Sequence, residues 1–214
     1  FGASVLPLQA ARQLPAPEKI TLKNGLTVYF LKNPDVPLVS FRMFIGGAGS
    51  AAEPAAAEGA ADLAAALMMK GTSTMDADAI AEALDVMGAN FDIGASEEYA
   101  QVYGDSLSEH FPRLLEIAAA VLIDPSFAPA EFEKERALRI DGLKAAKDDP
   151  GAAIRYYFQK AYFGGHPMGH LATGTGTSLG KMTVQTVKDF YKKHYRPDQA
   201  IAAVVGDIDR ARLV

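Results

Sequence analysis

A chain of 214 residues, 49% hydrophobic and 22% charged, holds enough apolar mass to bury a sizeable core as one large domain or two small ones. Its net charge of −5 and pI near 5.4 supply no long-range attraction to nucleic acid or anionic lipid, so neither partner is expected. Cysteine is absent, which excludes disulfides and thiolate metal sites, and the apolar runs around Leu63–Met69 and Ile117–Ile123 fall short of the roughly 20 residues that span a bilayer.

The first 17 residues, "FGASVLPLQAARQLPAP", have no regular period and read as a flexible lead-in. They suit the start of a mature chain whose secretory signal has been removed, which points to the periplasm or outside the cell, with the cytoplasm as the alternative. In "ITLKNGLTVYFLKN" apolar and polar residues alternate on both sides of Asn24-Gly25, a hairpin signal. "PLVSFRMFIG", residues 37–46, reads as a third strand running into a glycine-rich turn. Helical periodicity follows at Glu58–Met69 and at Asp76–Met87, where Gly88 supplies a stop.

"NFDIGASEEYAQVYGDSL" reads as another hairpin. Helices are expected over Ser108–Ile123, with Ser108 as N-cap, over Pro129–Lys147, over Gly151–Tyr162 and over Thr183–Tyr195. "QAIAAVVGDID", Gln199–Asp209, closes the unit as a buried strand. The order implies an α+β fold with helices on a mixed sheet. Residues 18–209 form one domain, and residues 210–214 begin a connection to a second.

Candidate chemistry is sparse. His166 and His170 are four apart, but the surrounding Gly164, Gly165, Pro167 and Gly169 make the segment a loop, so a structural role outweighs metal binding. His110 and His194 read as capping or surface residues. Glu131, Glu133 and Glu135 with Lys134 and Arg136 suggest a solvated helix face with i,i+3 and i,i+4 pairs. "GTGTSLG", residues 174–180, lacks the Gly-Lys-Ser/Thr ending of a phosphate loop. No Ser-His-Asp or Cys-His arrangement can be proposed.

Five stretches resemble, in order, the N-terminal domain of the insulinase/pitrilysin zinc peptidases, the family that includes the mitochondrial processing peptidase. They are "LKNGLTVYFLKNPDVPLVSFRMFIGGAGSAAEP", "EGAADLAAALMMKGT", "FEKERALRIDGLKAAKDDP", "YFGGHPMGHLATGT" and "FYKKHYRPDQAIAAVVGDID". The resemblance implies a mainly antiparallel mixed sheet with helices packed on one face. In that family the zinc helix reads Gly-Leu-Ala-His-x-x-Glu-His-x-x-x-Lys-Gly-Thr. Two histidines one turn apart bind zinc from one helix face, and the glutamate between them is the general base.

The frame from Gly59 to Thr72 matches without a gap, but Asp62 and Ala66 stand at the two histidine positions and Ala65 at the base. The family's third ligand is a glutamate on a later helix; Gly142 stands there, and Glu135, seven residues earlier, keeps the supporting position. A glycine inside a helix suggests a tight packing contact. The resemblance therefore implies no catalytic residue, no cofactor and no bound metal in this chain, zinc being expected only in an active partner subunit.

Such chains resemble the inactive half of a clam-shaped heterodimer, in which a catalytic subunit of the same family supplies the zinc site and the inactive one helps to form the peptide chamber. The family's peptide-binding edge strand aligns with Asp92-Ile93-Gly94-Ala95, where the usual Asn-Ala-x-Thr pattern is lost. A structural assembly role and a relocated site using Asp62 with His166 or His170 are the alternatives.

Overall fold

The Asn24-Gly25 signal closes a hairpin between β1 (Glu18–Thr21) and β2 (Thr27–Lys32), joined through a turn in which Asn24 Oδ1 accepts from the Leu26 N–H and Gly25 takes φ +92°. In the computed structural model, which describes residues 15–213 apart from the side chain of Arg155, this hairpin forms one side of a six-stranded sheet. Most of the expected lead-in, residues 1–14, lies outside the described residues, as does Val214. The other strands are β3 (Leu38–Gly46), β4 (Asn90–Ala95), β5 (Tyr99–Leu107) and β6 (Ala200–Gly206), in the order β1-β2-β6-β3-β5-β4.

Only β2 and β6 run parallel; every other neighbouring pair is antiparallel. β4 and β1 are the two edges. Alternation sorts each strand into two sets, as a period of two requires. Val28, Phe30, Val39, Phe41, Phe91, Val102, Ala202 and Val204 point into the core. Tyr29, Phe44, Ile201 and Val205 face out and are exposed. The sequence suggests a buried final strand; β6 instead alternates, because among the described residues no helix covers the outer face of the sheet.

The helices are α1 (Ala60–Met68), α2 (Ala77–Met87), α3 (Phe111–Ile123), α4 (Pro129–Ala146), α5 (Pro150–Phe163), α6 (Gly176–Lys181) and α7 (Val184–His194). Among the described residues α1 and α3 pack directly on the sheet, and the other helices are arranged around them. Asp76 caps α2 by accepting from the Ala79 N–H, and Gly88 ends it at φ +57°. Among the described residues no helix is long and apolar enough to cross a membrane.

One helix start is corrected. Ser108 does not cap α3: its N–H is engaged by Pro37 O, a turn intervenes, and the helix starts at Phe111, beside Pro112, after His110. The stretch Gly174–Gly180, rejected as a phosphate loop, runs into a short helix. Thr175 and Ser178 exchange side-chain and backbone bonds in a capping box that starts the short α6.

α1 is the central helix. Seven of its nine residues are buried, and it packs against α7, β4 and α4. Alanine makes that possible: Ala60, Ala61, Ala64 and Ala65 are at most 1% exposed, so neighbouring backbones approach closely on several sides.

Candidate functional site

Gly59 and Glu53 fix where α1 begins. Gly59 holds φ +99°, and a Cβ there would lie 2.9 Å from Gly174 Cα. Glu53, buried in the preceding segment, accepts from the Gly59 N–H at 2.9 Å and the Ala61 N–H at 2.7 Å, satisfying two of the free donors of the first turn. Burial pushes the Glu53 carboxyl up to about 8, with the neighbouring Glu58 and Asp62 charges adding to it and the two backbone bonds opposing it.

Asp62, Ala66, Met69 and Lys70 form the partly exposed stripe of this otherwise enclosed helix, and Ala65 is turned into the core. Opposite the stripe stands α4. Arg139 Nε donates to Asp62 Oδ2 at 2.6 Å, and its Nη1 donates to Glu135 Oε2 at 2.6 Å and to Glu135 O at 3.1 Å. Lys70 Nζ lies 3.0 Å from the other Glu135 oxygen. Two acids and two bases from α1, its end and α4 thus form one chain of charge.

The side chains of Glu135 and Arg139 are only 12% and 14% exposed, so these pairs are poorly screened. Burial raises the Glu135 pKa and is the largest single influence. The hydrogen bonds from Arg139 and Lys70 together outweigh it and hold the carboxyl below its usual range. Burial likewise works against the Arg139 charge, but Asp62 and Glu135 bring its pKa above normal.

Glu135 is therefore no part of a solvated face, as the acidic cluster on α4 suggested. Lys134–Glu131 and Arg136–Glu133 are the exposed i,i+3 pairs, while Glu135 and Arg139 turn inward. Gly142, one further turn along, is exposed, and a Cβ built on it meets nothing within 4 Å. The expected packing reason for that glycine is absent.

A second clasp ties α5, α6 and the loop between them to the segment that precedes α1. Lys160 Nζ pairs with Glu58 Oε1 at 3.1 Å, Ser178 Oγ donates to Glu58 O at 2.7 Å, and His170 Nδ1 lies 3.1 Å from Ser50 O. His170 is thus a buried loop residue. His166 Nδ1 accepts from the Met168 N–H, His194 stacks on Phe190, and His110 precedes α3 without a side-chain cap bond. The hydroxyl of Tyr195, at the end of α7, is buried without a hydrogen-bond partner among the described residues; burial first, and the Asp62 charge second, raise its pKa.

Metal chemistry does not fit this arrangement. Ala65, Ala66 and Gly142 offer no side-chain donor, and Asp62 and Glu135 are already held by Arg139 and Lys70. Among the described residues no group of three His, Cys, Asp or Glu side chains could hold an ion, so Asp62 does not form such a group with His166 and His170. The residues that sequence reasoning missed are Arg139, Glu53, Glu58 and Lys160. Arg139 carried one usable signal, its i+4 spacing from Glu135.

The family model described as insulinase (peptidase family M16) matches residues 27–176, and one described as peptidase M16 inactive domain matches residues 181–214. An uncharacterised zinc protease of Mycobacterium tuberculosis is 31% identical over 199 residues, which cover 93% of this chain and 45% of the relative. The crystal structure of a peptidase M16 inactive domain from Pseudomonas fluorescens superposes with a TM-score of 0.87 at 27% identity, over 92% of this chain and 48% of that one. The periplasmic protease PqqL from Escherichia coli shares the fold, with a TM-score of 0.80 at 19% identity over 96% of this chain and 23% of its own. The chain spans about half the length of the curated relatives it matches. With the family model spanning most of the sheet and the helices α1 to α5, the chain belongs to the insulinase family, peptidase family M16.

Proposed function

We propose that this chain is a non-catalytic subunit of a heterodimeric zinc peptidase, pairing with a catalytic subunit of the same family to enclose a peptide chamber. One observation carries the reading. At the positions where the family keeps two histidines, a general base and a third ligand stand Asp62, Ala66, Ala65 and Gly142, and the remaining carboxylates are committed to Arg139 and Lys70. A catalytic zinc needs three protein ligands and an open water position. Loss of one ligand can be compensated by a neighbour; loss of all three with the base leaves no route to activate water.

The remaining elements suit a chamber wall. β4 is a sheet edge beside α1, so an extended peptide can add to its free backbone groups by strand pairing, the affinity coming from main-chain bonds rather than from the altered Asp92–Ala95 side chains. Residues 18–209 act as the first domain, and residues 210–214 lead toward a second.

The test is to assay peptide cleavage by the catalytic partner with and without this chain, alongside metal analysis of the purified chain alone. The expected result is a stable complex with raised peptidase activity, and no stoichiometric metal in the isolated chain. Chelator-removable zinc at one per chain with intrinsic hydrolysis would overturn the reading; stable association only with a non-peptidase assembly would replace it by a structural role.

A further inference from the structure

We propose that the guanidinium of Arg139 has taken over the cross-bracing of α1 and α4 that a metal gives in a zinc-binding relative, and that it blocks the return of a metal even if ligands are restored. The inference rests on the reading of positions 62, 66 and 142 as former ligand positions.

A metal held by two side chains of α1 and one of α4 is a cationic link between the two helices. Here the link is Arg139. Its Nε bonds to Asp62 on α1 at 2.6 Å, and its Nη1 bonds to Glu135 on α4 at 2.6 Å. Glu135, Arg139 and Gly142 follow one another at four and three residues, so they share one face of α4. The planar fork of guanidinium can engage two carboxylates at once, whereas an ammonium is a point charge.

Charge explains the block. Asp62 and Glu135 are balanced by Arg139 and Lys70, so the cluster is neutral without any ion. A divalent cation entering between α1 and α4 meets a largely buried positive group that has no deprotonated form at ordinary pH. Arg139, which belongs to no zinc motif, is thus a determinant of the metal-free state, and ligand loss is only half of the change.

The test compares two variants, each checked for native circular dichroism. The first restores three ligands, Asp62→His, Ala66→His and Gly142→Glu, with Arg139 kept; the second adds Arg139→Leu. Zinc content after equilibrium dialysis and the visible absorbance of the cobalt form give the readout. The second variant is expected to bind zinc at about one per chain and roughly tenfold or more tighter than the first. Equal affinity overturns the block, and a folded second variant that takes no zinc overturns the former-ligand reading.

A double-mutant cycle on the natural residues tests the brace without any metal. Arg139→Met is expected to lower Tm by roughly 5 °C or more, and its effect should largely disappear once Asp62→Asn and Glu135→Gln are present. Additive losses would overturn the brace while leaving the proposed function untouched.

Discussion

Glu53 shows what one carboxyl group does for α1. It is buried where the chain enters the helix, and its two oxygens take one backbone N–H each. Glu53→Ala leaves both donors unpaired inside the protein and is expected to cost about 1–3 kcal/mol, read from the denaturant midpoint at constant m-value. The same residue gives the alkaline side of the stability profile. Its pKa rises on folding from the ordinary 4.5 to about 8, so its contribution is complete below about 4.5 and is lost as pH rises through 8. Glu135 acts in the opposite sense. Its folded pKa is depressed, so its contribution is present above its unfolded value and is lost as pH falls through the folded one. The urea midpoint of the natural chain should therefore fall from pH 6 to pH 9, and Glu53→Gln should flatten that limb without touching the acid one. An unchanged alkaline slope in Glu53→Gln would assign the effect to another group.

At the scale of elements, two glycines in similar-looking contexts carry opposite expectations. Gly59 sits at φ +99° with Gly174 2.9 Å from any Cβ, so Gly59→Ala forces α1 and the loop before α6 apart. A loss of about 1–3 kcal/mol is expected. Gly142 lies inside α4 with open space around its Cβ, so Gly142→Ala should gain about 0.5–1 kcal/mol from helix propensity alone. Thermal unfolding of the two variants separates the cases, and a destabilised Gly142→Ala would show a packing role that the geometry lacks.

The same contrast explains what was legible from sequence. β1 to β5, α1 to α5 and α7 follow from alternation, periodicity and stops, which are local signals, although the cap expected for α3 does not form. α6 was hidden because Gly, Thr and Ser dominate it and its start depends on the Thr175–Ser178 capping box. The outward set of β6 reads as buried because Ile201 and Val205 are apolar, and only topology reveals that both are exposed among the described residues. In the site, the positions of Asp62, Ala65, Ala66, Gly142 and Glu135 could be read from a family frame. The bond from Arg139 to Asp62 joins residues 77 apart and depends on how α4 crosses α1, which no spacing encodes.

For the whole molecule, the informative surface is α5. None of its described residues is buried, and Ile154, Tyr157, Phe158 and Tyr162 form an aromatic and aliphatic stripe, each at least 63% exposed. Phe158 and Tyr162 stack with centroids 5.6 Å apart, and a cleft of about 420 Å³ opens between α4 and α5 beside Tyr156 and Tyr157. A helix of this composition is stable against water only at a cost in exposed apolar area, and such patches mark contact surfaces. Under the proposed pairing this stripe is the expected contact for a catalytic subunit, because α5 is tied to the segment before α1 by Lys160–Glu58 and packs on α4. The pair Tyr157→Asp and Tyr162→Asp should therefore weaken association with that subunit by roughly tenfold or more while moving Tm by no more than about 2 °C, because both side chains are exposed. Titration calorimetry of the two subunits and thermal unfolding of the isolated chain give the two readouts. Unchanged affinity would free α5 of this role, since the contact would then have to be made through another face, with the uncovered side of the sheet at Tyr29, Phe44 and Ile201 as the next to be substituted.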